Sequence, residues 1–344
     1  MGKARLQQFL TVISAAIVLG LLAPAKPSAA EAVNYRLKWI LNSSVVGDLY
    51  ADVHGHFRAE NLEVTVKAGG PERDAIKELE LGLAEYGAAS ADQVIRALSK
   101  GSPVVVIAQL FQINPLQWIY RDSDPAITEL SHLRGKTIGV TFGGNDEAIL
   151  RTLLGKAGLT EADVKLFSVR YDYTPFYQRR VDIWPVYRNT QAVFLSRKLG
   201  EEGEVLRFFN PVRFGVQFVA NSVVTSRKRA AEHPDQVRRF VTALLKGWRD
   251  ALDPVNQGRA LEVLRKFDRD TDPEVIREQL EETRRLILPS PDVKLGSFDY
   301  AAWRQTEKIM LEQEQIPHPV VVENALMPEF AFGPNASPVR SGGD

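Results

Sequence analysis

The sequence has no cysteine, and its formal charges cancel, 43 basic residues against 43 acidic. Without cysteine there can be no disulfide, no thiolate nucleophile, no cysteine-ligated metal and no lipidated first cysteine. Zero net charge argues against a nucleic-acid binder, which needs a basic face. His54 and His56 form a close pair, but no further His, Cys or carboxylate lies at ligand spacing, so neither a metal site nor a cofactor is expected. There is no GxGxxG, and no Lys-Ser/Thr follows the paired glycines, which excludes the Rossmann turn and the P-loop. No internal repeat is visible, and low complexity is confined to the tail after Phe332. Beyond the N-terminus, no apolar run is long enough to span a bilayer.

The first segment reads as a secretory signal. Lys3 and Arg5 make a basic n-region, Phe9 to Leu22 an apolar h-region, and Pro27-Ser28-Ala29-Ala30 a small-residue cleavage site. Cleavage after Ala30 is expected, giving a soluble, exported chain in a bacterial periplasm. The remaining chain, a little over 300 of the 344 residues, is longer than one core usually serves, so two lobes are expected. The composition is globular, 44% hydrophobic and 25% charged.

The stretch Gly135 to Leu159, GKTIGVTFGGNDEAILRTLLGKAGL, organises the reading. Thr137 to Phe142 reads as a buried strand. Gly143 and Gly144 make a turn, and Asn145 and Asp146 are candidate N-cap residues. Ala148, Ile149, Leu153, Leu154 and Ala157 follow at helical spacing until Gly158 stops them. Such a turn puts free backbone N–H groups at the carboxyl end of a strand, where open α/β sheets bind ligands. Upstream, strands are expected at Tyr35–Ile40, Asn61–Val66, Tyr86–Ser90, Pro103–Gln109 and Trp118–Arg121. Helices are expected at Val46–Arg58, Asp74–Leu83 and Ala91–Lys100. Strands at Lys165–Tyr171 and Val181–Tyr187 and a helix at Thr190–Leu199 follow, then helices to Glu314. This alternation implies α/β architecture with mixed, mostly parallel sheets flanked by helices.

Several stretches together carry a family resemblance. Leu37-Lys38-Trp39 leads through Gly47–Phe57 to Glu60-Asn61-Leu62-Glu63-Val64, similar to KGxFxxxGLxV. Asn61 stands where that pattern has Gly, and Asn tolerates the left-handed backbone a Gly would supply. Gly82 to Asp92 is similar to GxxDxGxxxxD, and Leu133 to Val140 to LKGKKVGV. Phe214-Gly215-Val216, His233-Pro234-Asp235 and Lys246-Gly247-Trp248 continue the match. The chain resembles the solute-binding proteins of ABC importers, in the branch carrying thiamine pyrimidine precursors, sulfonates and nitrate. The resemblance implies the two-lobed periplasmic binding protein type II fold with a ligand cleft between lobes. Lobe one would be 33–119 plus 225–330, lobe two 120–224, and 331–344 a tail. The crossings would lie near Tyr120–Pro125 and Val219–Thr225. It also implies a monomer that hands a small molecule to a membrane permease.

In that fold four loops would face the cleft. They supply Trp39 and Asn42; Ser90 and Asp92; Gly143, Gly144 and Asn145; and Trp184, Tyr187, Asn189 and Gln191. Aromatic residues suit a flat heterocycle, and Asn and Gln amides suit the edge of a pyrimidine or flavin-like ring. Each also has a plainer reading: Trp39, Trp184 and Tyr187 as core packing, Asp92 and Asn145 as helix caps. An anion binder would use a helix N-terminus free of carboxylates. Asp146 in the first turn opposes that, so a neutral or cationic heteroaromatic is expected, with sulfonate or nitrate as the alternative. Pyrimidine-binding relatives tend to carry a carboxylate where this chain has Asn189-Thr190-Gln191, which leaves the ligand open. A pyrimidine-synthase-like enzyme of the eukaryotic branch would need a Cys-rich motif that is missing here. A receptor-docking sensor is a third possibility, which sequence alone does not separate from transport.

Overall fold

A computed structural model describes residues 29–70, 73–142, 144–169 and 172–333. The signal segment up to Ser28, Gly143 and the tail from Pro334 lie outside the described residues. Among the described residues there are ten strands: β1 (Glu31–Arg36), β2 (Leu62–Lys67), β3 (Tyr86–Ala89), β4 (Val104–Gln109), β5 (Leu116–Arg121), β6 (Thr137–Val140), β7 (Lys165–Ser168), β8 (Trp184–Tyr187), β9 (Leu206–Phe209) and β10 (Ser222–Ser226). They form a five-stranded sheet, β2-β1-β3-β10-β4, a three-stranded sheet, β8-β5-β9, and a two-stranded sheet, β6-β7. In the first, β1 runs parallel to β2 and β3, while β10 is antiparallel to β3 and β4. The three-stranded sheet is antiparallel throughout, and β6-β7 is parallel. A bridge from Ile138 to Ile183 links the last two sheets into one lobe.

Strand pairing places the first crossing between lobes earlier than the sequence suggests. β5 begins at Leu116 and pairs with β8 and β9, so Leu116–Ile119 belong with lobe two. The chain therefore crosses at Leu110–Pro115, and the Asp122–Pro125 cluster is a turn within lobe two, tied by the Asp122 N–H to Val205 O. The return crossing ends at Ser222, where β10 joins the first sheet. β9 and β10 were absent from the sequence reading, because each is a short run with no flanking pattern of its own.

Other differences have local causes. β1 ends at Arg36, which releases Leu37–Ile40 into a loop. The expected Val46–Arg58 helix is two, Val46–Val53 and His56–Ala59, parted at Gly55 in the left-handed conformation (φ 74°). Asn61 adopts φ 56°, as its place in the KGxFxxxGLxV-like motif implies. β6 stops at Val140, so Thr141 and Phe142 enter the loop ahead of the Asn145–Lys156 helix.

The core of lobe one is aromatic. Tyr86 stacks on Phe240 at 3.7 Å, and Phe57 and Tyr35 pack on the same ring at 5.3 and 5.2 Å. The Val46–Val53 and Pro234–Leu252 helices cross with almost no room between them. A Cβ on Gly47 would lie 2.0 Å from Trp248 Cδ2 and 2.6 Å from its Cα, and one on Gly247 would lie 2.7 Å from Gly47 O. Gly47→Ala therefore pushes backbone against backbone, and a loss of about 3 kcal/mol in unfolding free energy is expected by denaturant titration.

Asp48 lies beside this crossing, 2% exposed, and its Oδ1 accepts the Tyr35 hydroxyl at 2.7 Å. Burial pushes its carboxyl up from 3.8 to about 7, against the lowering effect of the Tyr35 hydrogen bond. The folded protein thus holds a proton that the unfolded chain releases first. This contribution to stability is complete below about pH 4 and is lost as pH rises through 7. Asp48→Asn keeps an acceptor for Tyr35 and removes the charge. Thermal unfolding across pH should show variant and wild type converging near pH 4, with the variant more stable at pH 8 by up to roughly 4 kcal/mol.

Candidate ligand cleft between the lobes

Strand ends and helix starts from both lobes enclose one cleft of about 1090 Å3. Of the residues expected at the site, Trp39, Ser90, Asp92, Gly144, Asn145, Trp184, Tyr187 and Gln191 line it. Gly143 lies outside the described residues.

Lobe one contributes the N-terminus of the Ala91–Ser99 helix. Ser90 is its N-cap, in a capping box with Gln93, and the Ser90 N–H donates to Gln93 Oε1 at 3.1 Å. Asp92 is therefore not the cap. It is 6% exposed, and its Oδ1 has no hydrogen-bond partner. Lobe two contributes the N-terminus of the Asn145–Lys156 helix. Its N-cap is Gly144, and Asn145 and Asp146 are the first helical residues, which corrects their expected capping role. Asp146 folds back so that its Oδ2 accepts the Thr141 N–H at 2.6 Å. A Cβ on Gly144 would lie 2.4 Å from Asp146 Oδ1 and 2.8 Å from Thr141 O, so only glycine leaves room for that arrangement. Asp146 is 4% exposed, and burial pushes its carboxyl up to about 6 against the Thr141 hydrogen bonds.

β8 has an alternating burial pattern, with Trp184 and Val186 inward and Pro185 and Tyr187 half-buried. Trp184 is consequently a core residue, 1% exposed and packed 6.0 Å from both Tyr173 and Phe176. It closes the wall of the cleft without offering an open face. Tyr187 is half-buried there, and its hydroxyl pKa is raised, first by burial, with Lys38 lowering it and Asp146 and Asp92 raising it. The Tyr187 N–H donates to Gln191 Oε1 at 2.9 Å.

Asn42 and Asn189 are not among the residues that line the cleft. Asn42 Oδ1 accepts from the Ser44 N–H at 2.9 Å and caps a short turn. Asn189 is fully buried at the junction between the lobes. Its Nδ2 donates to Ser44 Oγ at 3.1 Å and Thr283 Oγ1 at 2.9 Å, and its backbone carbonyl accepts from Ser43 Oγ at 3.3 Å. Lobe one's hydroxyls therefore hold the amide that the sequence reading assigned to a ligand. Arg188–Glu282 and Arg197–Glu278 ion pairs flank the same junction.

Lys38 and Phe142 line the cleft and were missing from the sequence reading of the site. Phe142 is 54% exposed. The signal for it was an aromatic residue directly before two glycines, which the assumed longer strand concealed. Arg73, Lys77, Arg96 and Lys100 add cations to the lobe-one side, beside Asp74 and Glu80.

The profile of the NMT1/THI5-like family matches residues 42–256, more than half of the chain. The chain belongs to this family. Two relatives are each 26% identical to it: the riboflavin-binding protein RibY of Chloroflexus aurantiacus, covering 90% of this chain and 89% of the relative, and the formylaminopyrimidine-binding protein of Halalkalibacterium halodurans, covering 86% and 90%. The periplasmic aliphatic sulphonate binding protein SsuA from Escherichia coli superposes with TM-score 0.69 at 16% identity, covering 91% of this chain and 94% of SsuA. The desulfurization enzyme DSZB does so with TM-score 0.56 at 14% identity, covering 88% and 98%. At such identities the likeness shows the fold, and this NMT1/THI5-like protein has the periplasmic binding protein fold. Among the described residues, no helix is long and apolar enough to cross a membrane.

Truncating the junction amide leaves the lobe-one hydroxyls of Ser44 and Thr283 without their partner from lobe two. Asn189→Ala should lower the unfolding free energy by about 1–3 kcal/mol and let the lobes part more readily. Denaturant titration and an increased radius of gyration in small-angle scattering would check this.

Proposed function

We propose that the protein is the periplasmic solute-binding component of an ABC importer. It captures a small heteroaromatic molecule, a pyrimidine thiamine precursor or a close analogue, between its lobes and delivers it to an inner-membrane permease. The observation that carries this reading is the make-up of the cleft. Trp39 and Phe142 come from opposite lobes, Asn145 and Gln191 supply amides, and Asp92 and Asp146 stand at both helix N-termini. Aromatic residues and amides suit a flat heterocycle, while the two carboxylates counter the positive helix ends that would otherwise draw an anion. The names of the two relatives, riboflavin- and formylaminopyrimidine-binding, support the same class.

Binding without catalysis suits the site, which needs only apolar enclosure and paired polar groups. The expected cleavage after Ala30 would leave β1 whole, since it begins at Glu31, and an exported, monomeric product fits a partner that must dock on a permease. The ligand-contacting set in this reading is Trp39, Ser90, Asp92, Gly144, Asn145, Tyr187 and Gln191, with Trp184 as support. Closure would proceed by hinge motion at the two crossings.

A thermal-shift screen of the purified protein against pyrimidines, flavins, sulfonates and nitrate tests this. A heterocycle at a hundredfold excess over its Kd should stabilise the fold by about 2.7 kcal/mol, and the shift should shrink in Trp39→Ala. A shift with sulfonate or nitrate alone would overturn the heteroaromatic reading and move the ligand to the anion class.

A further inference from the structure

Among the described residues, Trp39 is the only aromatic that lobe one brings to the cleft, and no regular strand or helix holds it. β1 ends at Arg36, so a loop carries Lys38 and Trp39 to the cleft wall. The loop after β2 holds that loop from behind. The parallel ladder of β1 and β2 reaches Arg36 and Lys67, and the Leu37 N–H then donates to Lys67 O at 2.9 Å. Beyond it the Gly69 N–H donates to Trp39 O at 2.8 Å. The approach is closer than any side chain allows. A Cβ on Gly69 would lie 2.1 Å from Leu37 O, 2.4 Å from the Lys38 carbonyl carbon and 2.6 Å from Lys38 O. All three are backbone atoms, so nothing can swing aside to make room. Arg36 braces the same place. Its Nε donates to Glu78 Oε2 at 2.8 Å and its Nη1 to Ala68 O, which ties the Ala68–Gly69 peptide to the Ala75–Glu80 helix. Gly69 itself is not among the residues that line the cleft.

We infer that Gly69 is a positioning residue of the cleft: its backbone clamps the Lys38–Trp39 segment and fixes the Trp39 ring before a ligand arrives. This rests on the reading of the cleft as the ligand site. A ring already held in place loses little freedom on binding, so pre-organisation returns as affinity. Gly69 then sets affinity without touching the ligand.

Tryptophan emission tests this without any ligand. Of the five tryptophans, Trp118, Trp184, Trp248 and Trp303 are at most 1% exposed, and Trp39 is half-buried. Acrylamide quenching therefore reads Trp39, and Trp39→Phe should remove most of it. Gly69→Ala should raise the quenching. Gly258→Ala, where no atom lies within 4 Å of the added Cβ, should leave it at the wild-type value. Arg36→Met removes the brace without adding bulk at Gly69 and should also raise it; this variant decides the matter if Gly69→Ala does not fold. Calorimetric titration with riboflavin and with formylaminopyrimidine gives the binding readout. Gly69→Ala should weaken the compound that binds by about 3- to 10-fold. In a Trp39→Ala background the same substitution should change affinity little, because the ring it positions is gone. Wild-type quenching in folded Gly69→Ala and Arg36→Met, or an equal affinity loss with and without the Trp39 ring, would overturn the proposal and leave the heteroaromatic reading standing. Failure of both compounds to bind wild type would overturn that reading, while the quenching still decides whether Gly69 holds Trp39.

Discussion

Two helix N-termini, those of Ala91–Ser99 and Asn145–Lys156, meet one cleft from separate lobes, and each carries a buried carboxylate in its first turn. Much of the local structure follows from that constraint. A helix start offers unpaired N–H groups and a positive field, which is why a carboxylate can be buried there at all. On lobe two the carboxylate turns back to Thr141, and Gly144 is the residue that leaves it space. On lobe one the capping box of Ser90 and Gln93 takes over the structural duty, so Asp92 remains uncommitted. The same motif, strand end into helix, thus produces a self-satisfied acid on one wall and an unsatisfied one on the other.

The junction behind the cleft depends on how the chain divides its labour over a few residues. Tyr187 and Gln191 line the cleft, while Arg188 and Asn189 between them bind the opposite lobe. Likewise Lys38 and Trp39 line the cleft, and Ser43 and Ser44, a few residues on, meet Asn189. Any displacement of the junction therefore moves cleft residues of both lobes together. The connection is polar and flanked by half-exposed ion pairs, which are individually weak. Such a junction holds a defined geometry and can still be reorganised at modest cost, as a cleft that opens and closes requires.

Most of the site was legible in the sequence because strand-to-helix turns announce themselves through small residues and capping chemistry. Ser90-Ala91-Asp92 and Gly144-Asn145-Asp146 follow short apolar strands and precede helical spacing, and both fell where expected. Side-chain direction was less legible. Trp184 and Tyr187 differ by an odd number of positions on one strand, so alternation sends them to opposite sides, and the face of a four-residue strand depends on its partners. Asn42 and Asn189 have the right chemistry for a ligand, but a tertiary neighbour claims them first: a local turn for one, the other lobe for the other. The first crossing falls earlier than expected for a similar reason. β5 is buried along its whole length, and such a run gives no sign of which sheet will pair with it.

Three buried carboxylates show how the fold accommodates charge away from water. Asp48 lies in the packed core of lobe one, where the Tyr35 hydroxyl serves it and nothing from outside can reach. Asp146 lies at the cleft but is tied to its own loop. Asp92 alone of these three has an oxygen that no protein group answers. All three lie in the first turn of a helix, whose N-terminal field offsets part of the cost of burying a carboxylate, so the fold places its buried acids where the backbone already opposes their charge.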